Sequence, residues 1–264
     1  MYRFKHHRPS TIDEAMAIFA AADDPSYLSG GMTLIPTMKQ RLASPTDLID
    51  LSRVTGLTGI EVRADHVRIG AFTRHGEVVA SAELQRAIPA LGYLAAQIGD
   101  NQVRNRGTLG GSVANSDPAA DYPAAVVGLG ARVITSGRTI TGDSFFRDLF
   151  ETALEPVELI TAIEFPIPKR AAYRKFPNPA SRYAVAGVMV ADFGGRVRVG
   201  VTGAGPCAFR ATALEDALNR SFTPEALDAV EIPDAGFNSD LHASAEYRAH
   251  LVKVLARRAV AALC

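Results

Sequence analysis

What the chain has little of narrows its function first. Cysteine is limited to Cys207 and Cys264, far apart in sequence, so the chain builds neither a disulfide framework nor an iron–sulfur cluster of its own. Charge of one sign is not in excess. The 28 lysines and arginines balance 28 aspartates and glutamates, which removes the basic surplus that a nucleic-acid partner requires. No run of about 18 apolar residues occurs, and the charged start Met1–Pro9 leads into no apolar leader core. Membrane insertion is therefore not expected, and a cytoplasmic location is. The six histidines are dispersed, and His6 and His7 lack a cysteine or carboxylate at ligand spacing. No metal site is expected, and the histidines are read as surface residues.

Familiar catalytic motifs are missing too. No Gly-x-x-x-x-Gly-Lys-Ser/Thr occurs, and no Gly-x-Gly-x-x-Gly opens a helix after a strand, so neither a P-loop nor a Rossmann site is present. Ser29 and Ser112 lie next to glycines but lack the Gly-x-Ser-x-Gly elbow, and Glu61 and Glu83 have no spacing that makes an acid–base dyad. Hydrolytic chemistry has no support.

What is present is a folded chain of 264 residues with 47% hydrophobic content, enough for two domains with a core each. Thr11 and Glu14 cap a helix carrying Ile12, Ala15, Met16 and Phe19 on one face. Ser26–Ser29 reads as a strand entering Gly30-Gly31, after which Leu34, Ile35, Met38 and Leu42 keep helical spacing. Strands are expected at Asp47–Leu51, Val67–Ala71 and Leu159–Phe165, a helix over Ala90–Ile98, and a hairpin at 132–141 turning through Ser136-Gly137. Pro118 and Pro123 bracket a turn-rich segment. The stiff stretch Pro166–Arg170 marks a domain boundary near 168, with a lobe boundary near 55. Beyond it, strands at 173–176, 183–193 and 196–202 precede helices at 212–219, 223–230 and 245–263, an α+β order.

Two glycine pairs carry the functional signal. Leu28-Ser29-Gly30-Gly31-Met32-Thr33 and Thr108-Leu109-Gly110-Gly111-Ser112 each place glycines near a helix start, where backbone N–H groups reach an anion without a Cβ clash. Either pair alone reads equally well as a plain turn. Together they form two cradles of similar chemistry, which suits a diphosphate. Asn115, Asp117 and Asp121 offer acceptors to a ribityl chain or sugar, or serve ordinary turns. Arg104 and Arg106 either steer a diphosphate or are exposed charges, and Lys175 reads as a solvated charge on a strand.

Taken in order, Ser29–Thr33, Val103–Ser112 with Asp117–Asp121, Glu158–Ile163, and Arg174–Phe176 with Ala180–Ala184 resemble the FAD-binding medium subunit of molybdenum hydroxylases, the carbon monoxide dehydrogenase and xanthine dehydrogenase type. The resemblance covers almost the whole chain. It implies an α+β fold: a two-lobed FAD-binding domain over 1–168, related to the vanillyl-alcohol-oxidase-type flavin fold, and a smaller C-terminal domain of antiparallel strands and helices over 169–264 that closes over the flavin. It further implies that residues 29–33 and 108–112 supply the two pyrophosphate loops, with Leu28 and Asn115 also cofactor-binding, that Asp121 makes the ribityl contact, and that Ile160, Lys175 and Tyr183 surround the flavin ring. The implied partners are a large molybdenum-cofactor subunit and a small iron–sulfur subunit, with an external electron acceptor. Met32 and Ser112 stand where relatives often carry a polar residue and an asparagine. No cysteine-rich insertion appears, so the shorter branch of the family fits. The competing expectations are a stand-alone flavin-dependent reductase or oxidase, and a non-catalytic nucleotide-binding subunit.

Overall fold

The computed structural model describes residues 1–264. Three sheets follow one another along the chain. The first is small and parallel: β1 (Lys5–His7), β2 (Pro25–Leu28) and β3 (Asp47–Asp50) lie in the order β1-β3-β2. Helix α1 (Ile12–Ala21) crosses between β1 and β2. Its start is fixed by Thr11, whose hydroxyl accepts the Glu14 N–H at 3.2 Å, and Glu14 reaches one residue past the cap to accept the Ser10 N–H at 2.8 Å. Ala15, Ile49, Leu51 and Leu57 form a minor core beneath α1. The short helix α2 (Leu34–Lys39) follows the first glycine loop.

The second sheet is antiparallel, in the order β4-β5-β10-β6-β7, from β4 (Ile60–Val62), β5 (His66–Gly70), β6 (Arg132–Thr135), β7 (Thr139–Thr141) and β10 (Ile160–Pro166). Its register sets Ile163 opposite Ile69 and Phe165 opposite Val67, and these four are fully buried. Helices α3 (His75–Ala80), α4 (Ala82–Ala87), α5 (Pro89–Ala96), α6 (Asn101–Arg104), α7 (Leu109–Asn115) and α8 (Tyr122–Gly128) fill the long connection between β5 and β6. A one-turn helix α9 (Gly142–Phe145) leads into a small hairpin of β8 (Phe146–Asp148) and β9 (Glu151–Thr152).

Helix α8 corrects the sequence reading, which placed turns between Pro118 and Pro123. Pro123 sits in the first helical turn, where its missing N–H is not required, and every residue of α8 is buried. A helix that is apolar all round has no polar face, so no 3.6-residue alternation betrays it.

The third sheet is antiparallel in the order β11-β12-β13-β14, from β11 (Arg170–Pro177), β12 (Ala184–Asp192), β13 (Val197–Thr202) and β14 (Phe209–Arg210). All nine residues of β12 are buried because both sheet faces are covered. Val188 and Val190 point to α10 (Thr212–Arg220) and α11 (Ala245–Ala261), and Met189 and Ala191 point to the core shared with α8. Each fully buried valine or leucine there contributes roughly 1.5–3 kcal/mol. Gly200 lets α8 approach closely, since a Cβ at that position would strike the Ala124 carbonyl. The helix expected over 223–230 is only a 3-10 turn, Pro224–Leu227, capped by Thr223 and held to the core by one fully buried side chain, Leu227. No helix is long and apolar enough to cross a membrane.

Candidate functional site

Strand β2 runs out into the loop Ser29–Thr33, and the chain between α6 and α7 brings Gly107–Gly111 alongside it. A cavity of about 690 Å³ opens where these loops meet, a size typical of ligand sites. Of the residues singled out in the sequence, Leu28, Ser29, Gly30, Gly31, Met32, Thr33, Thr108, Gly110, Gly111, Ser112, Asn115, Asp121, Ile160 and Tyr183 line it. Leu109 and Lys175 do not.

The two loops are joined directly. The Ser29 and Thr108 hydroxyls lie 2.7 Å apart in a hydrogen bond. A Cβ on Gly30 would strike the Arg106 carbonyl, so the loops approach at this separation only because residue 30 has no side chain. Gly31 has φ of 73°, the left-handed region that favours glycine.

Their donors differ, which corrects the expectation of two similar cradles. In the first loop the N–H groups of Gly30, Gly31, Met32 and Thr33 donate to no other backbone carbonyl, and Thr33 makes no side-chain cap for α2. Helix α2 has six residues, so the attraction for an anion comes from these adjacent free N–H groups more than from a summed helix dipole. In the second loop the Leu109 N–H donates to the Thr73 carbonyl at 3.0 Å, and the Gly110 N–H to the Ala71 carbonyl at 2.8 Å. The Gly111 N–H donates to the Thr108 hydroxyl at 3.2 Å and the Ser112 N–H to the Thr108 carbonyl at 3.0 Å. Leu109 turns its side chain into the core, fully buried. The second loop is a wall that lets a ligand come close, because Gly111 presents no Cβ beside Ser29.

Asp121, at the start of α8, is buried with both carboxylate oxygens engaged. Tyr173 donates to one at 2.6 Å, and the Lys175 ammonium to the other at 3.0 Å. Burial pushes the Asp121 carboxyl up, opposed by Lys175 and the Tyr173 hydroxyl. Lys175 also donates to the Gln97 carbonyl at 3.1 Å, and its side chain is 1% exposed. The reading of Lys175 as a solvated charge is therefore wrong: strand alternation turns residues 173 and 175 of β11 inward, onto α8. Beyond them, Tyr183 sits 45% exposed at the tip between β11 and β12, next to Arg182 with φ of 62°.

Arg104 and Arg106 do not line the cavity. The Arg104 guanidinium donates to the Ile98 and Gly99 carbonyls at 2.8 and 3.2 Å, closing the end of α5. His75, expected at the surface with the other histidines, lies in the cavity wall at 4% exposure. Its main-chain N–H donates to the Gly107 carbonyl at 3.0 Å and its ring lies against Gly107, with the Tyr122 ring 5.3 Å away. Burial, with Arg104 adding to it, lowers its pKa from 6.5 to about 4, so the imidazole is neutral. A single histidine after β5 gives no local signal of this placement.

Known proteins share this fold. A family model described as "FAD binding domain in molybdopterin dehydrogenase" matches residues 2–168, and one described as "CO dehydrogenase flavoprotein C-terminal domain" matches 171–263. The chain belongs to this family. Nicotine 6-hydroxylase medium subunit of Paenarthrobacter nicotinovorans is 35% identical, over 97% of this chain and 95% of that relative. The carbon monoxide dehydrogenase medium chain of Afipia carboxidovorans is also 35% identical, again over 97% and 95%. Among solved structures, reconstituted CO dehydrogenase from Oligotropha carboxidovorans superposes with a TM-score of 0.91 at 34% identity, covering 98% of this chain and 97% of that one. Quinoline 2-oxidoreductase from Pseudomonas putida 86 superposes with a TM-score of 0.86 at 26% identity, covering 99% and 96%. The protein is thus a flavoprotein oxidoreductase subunit of the medium-chain type, and its cofactor is FAD. The residues present suit that group: unpaired N–H donors on a concave loop, a facing glycine without Cβ, and a cavity reaching from Ser29 to Tyr183.

Proposed function

We propose that this chain is the electron-transfer subunit of a cytoplasmic, multi-subunit molybdenum hydroxylase, receiving electrons from the iron–sulfur clusters of a small partner and passing them to an external acceptor. FAD supplies the redox chemistry, and the protein supplies binding and orientation. A large partner carrying the molybdenum cofactor holds the substrate. The relatives' names range over nicotine, carbon monoxide and quinoline while the medium-chain fold stays the same, which supports placing substrate choice outside this chain.

The observation that carries the reading is the run of four N–H groups, Gly30 to Thr33, left without backbone partners on the wall of the cavity. These donors are open at the cavity wall and are matched by a diphosphate. In this reading Leu28–Thr33 hold the pyrophosphate, and Thr108–Ser112 give it close passage. Asn115 and Asp121 face the ribityl region, and Ile160 and Tyr183 border the flavin ring. Lys175 acts through Asp121, holding that carboxylate in place. Residues 1–168 form the FAD-binding domain, in lobes meeting near residue 55, and 169–264 form the domain that closes over the flavin.

Reconstitution tests this. The purified chain mixed with FAD and desalted should retain the absorbance of oxidised flavin near about 450 nm, a property of the cofactor itself. A chain that stays colourless, or that retains an adenine nucleotide without that band, overturns the reading. Substrate-dependent turnover by the isolated chain would point instead to a stand-alone flavin enzyme.

A further inference from the structure

The first lobe is joined to the rest of the chain along a thin seam. Its helices and strands pack on one another, and none packs extensively against an element beyond residue 56. Ala15, Ile49, Leu51 and Val54 meet Leu57 and Leu159 in a small apolar core, which closes the seam where the chain crosses between the lobes. Away from that core, residues 1–55 share two hydrogen bonds and no ion pair with residues 57–264. The Tyr27 hydroxyl donates to the Val157 carbonyl at 3.0 Å, and the Ser29 and Thr108 hydroxyls form the bond of 2.7 Å. Both ties lie along the cavity, since Tyr27, Ser29, Thr108 and the residues on either side of Val157 line it.

The second lobe is held to the C-terminal domain quite differently. Asp121 binds Tyr173 and Lys175, and Asp143 on α9 pairs with the buried Arg198 of β13 and with Arg210 of β14. The fully buried Thr202 hydroxyl lies 2.9 and 2.7 Å from the Pro118 and Ala120 carbonyls, and the Ala184 and Gly203 N–H groups donate to the Ala119 and Pro118 carbonyls at 3.1 and 2.7 Å. Residues 57–264 are thus tied into one body. Between that body and the first lobe, one residue is held by neither side. The Thr55 N–H donates to the Ser10 carbonyl at 3.3 Å, while the Leu57 carbonyl accepts the Phe72 N–H at 2.7 Å. Gly56 makes no hydrogen bond, is exposed, has φ of 81°, and has open space where a Cβ would stand. A glycine so placed changes its dihedral angles at little steric cost, as a hinge requires.

We propose that the first lobe is a hinged cover on the cavity, turning about Gly56, with the Tyr27 hydroxyl and the Ser29–Thr108 pair as its latch. The proposal rests on the FAD reading above and adds how the dinucleotide enters and is kept. The free N–H groups of residues 30–33 ride on the moving lobe, whereas Gly107–Ser112 belong to the fixed body. In the closed form Gly30 lies so near the Arg106 carbonyl that a Cβ would stand 2.2 Å from it. A diphosphate therefore reaches the donors most readily when the lobes part, and once bound it adds contacts that favour closure. Few ties across the seam keep the opening within reach of thermal motion.

The test uses the chain in its co-expressed complex, loaded with FAD. Release is followed by the fluorescence of freed flavin on dilution, and uptake by its quenching when FAD is returned. Tyr27→Phe keeps the ring that stacks on Phe19 at 4.5 Å and removes only the latch hydroxyl. Uptake and release should both quicken by roughly three- to tenfold, as for loss of one hydrogen bond across the opening, with the dissociation constant within about twofold of wild type. Tyr93→Phe, which removes an exposed hydroxyl outside the cavity, should leave both rates unchanged. Faster release with unchanged uptake would make Tyr27 an ordinary wall contact and overturns the proposal, as do two unchanged rates or an equal acceleration in the control. If Tyr27→Phe does not fold by circular dichroism, a lock replaces it. Ser29→Cys with Thr108→Cys puts two thiols where the hydroxyls touch, close enough to bridge. Loaded with FAD while reduced and then oxidised, this variant should release FAD roughly a hundredfold more slowly and recover on reduction. Equal or faster release in the oxidised form, or a pair that stays reduced by thiol titration, overturns the proposal. A wild-type complex that holds no FAD refutes the flavin reading instead, a result distinct from any change in the two rates.

Discussion

The two glycine loops look alike in sequence and differ in what their backbones have left to give. Around Gly30-Gly31 four successive N–H groups are unpartnered, while around Gly110-Gly111 each N–H from Leu109 to Ser112 already donates to a protein oxygen. The cause lies in the neighbours. Thr108 forms a β-bridge with Arg74, which draws the second loop onto the segment from Ala71 to His75, where Leu109 and Gly110 donate, while Gly111 and Ser112 donate back to Thr108. No strand or bridge pairs with residues 30–33. A diglycine therefore marks where a backbone can approach something, and tertiary context decides whether that something is a ligand or the protein itself.

Acid should separate the loops most. The buried His75 imidazole packs against Gly107 of the second loop, and its folded pKa of about 4 lies below the ordinary 6.5. Between these values the unfolded chain binds a proton that the folded chain does not. The stabilisation is thus complete above pH 6.5 and lost as the pH falls toward 4, an effect of about 3 kcal/mol. Urea unfolding at pH 7 and pH 4 measures it, and His75→Gln should flatten the slope. Equal slopes in both proteins would show that the buried imidazole is not the group that titrates.

Gly30→Val comes next. Its Cβ meets a backbone carbonyl, which does not move aside, so FAD affinity should fall by roughly thirty-fold, about 2 kcal/mol, measured by flavin fluorescence titration. Gly111→Val should act less, by about tenfold, because the obstacles are the Thr108 hydroxyl at 2.8 Å and the Ser29 Cβ at 3.4 Å, which can shift. A larger effect at 111 than at 30 would reverse the assignment of free and occupied loops. Thr108→Val removes both the cap of α7 and the link to Ser29, and should lower thermal stability by about 1 kcal/mol with only a small loss of FAD.

Much of this molecule is legible in the chain. The capped α1, the alternating β5 and the 132–141 hairpin follow from local patterning, because each element has one face toward water and one toward a core. Helix α8 does not, since burial on all sides erases its period. The same limit applies to the cavity wall. Glycine pairs and hydroxyls at 29, 33, 108 and 112 are visible as donors, whereas His75, and the burial of Lys175 against Asp121, arise from contacts 32 to 54 residues apart in sequence.

By itself the sequence determined the family, the two glycine loops and the absence of any cysteine set able to hold a cluster, because these depend on residue identity and order. Only the tertiary structure decided which loop keeps free donors, which way Lys175 points and how few bonds join the first lobe to the rest. Those outcomes depend on which backbone groups and faces find partners elsewhere in the fold, and no local stretch of chain carries that information.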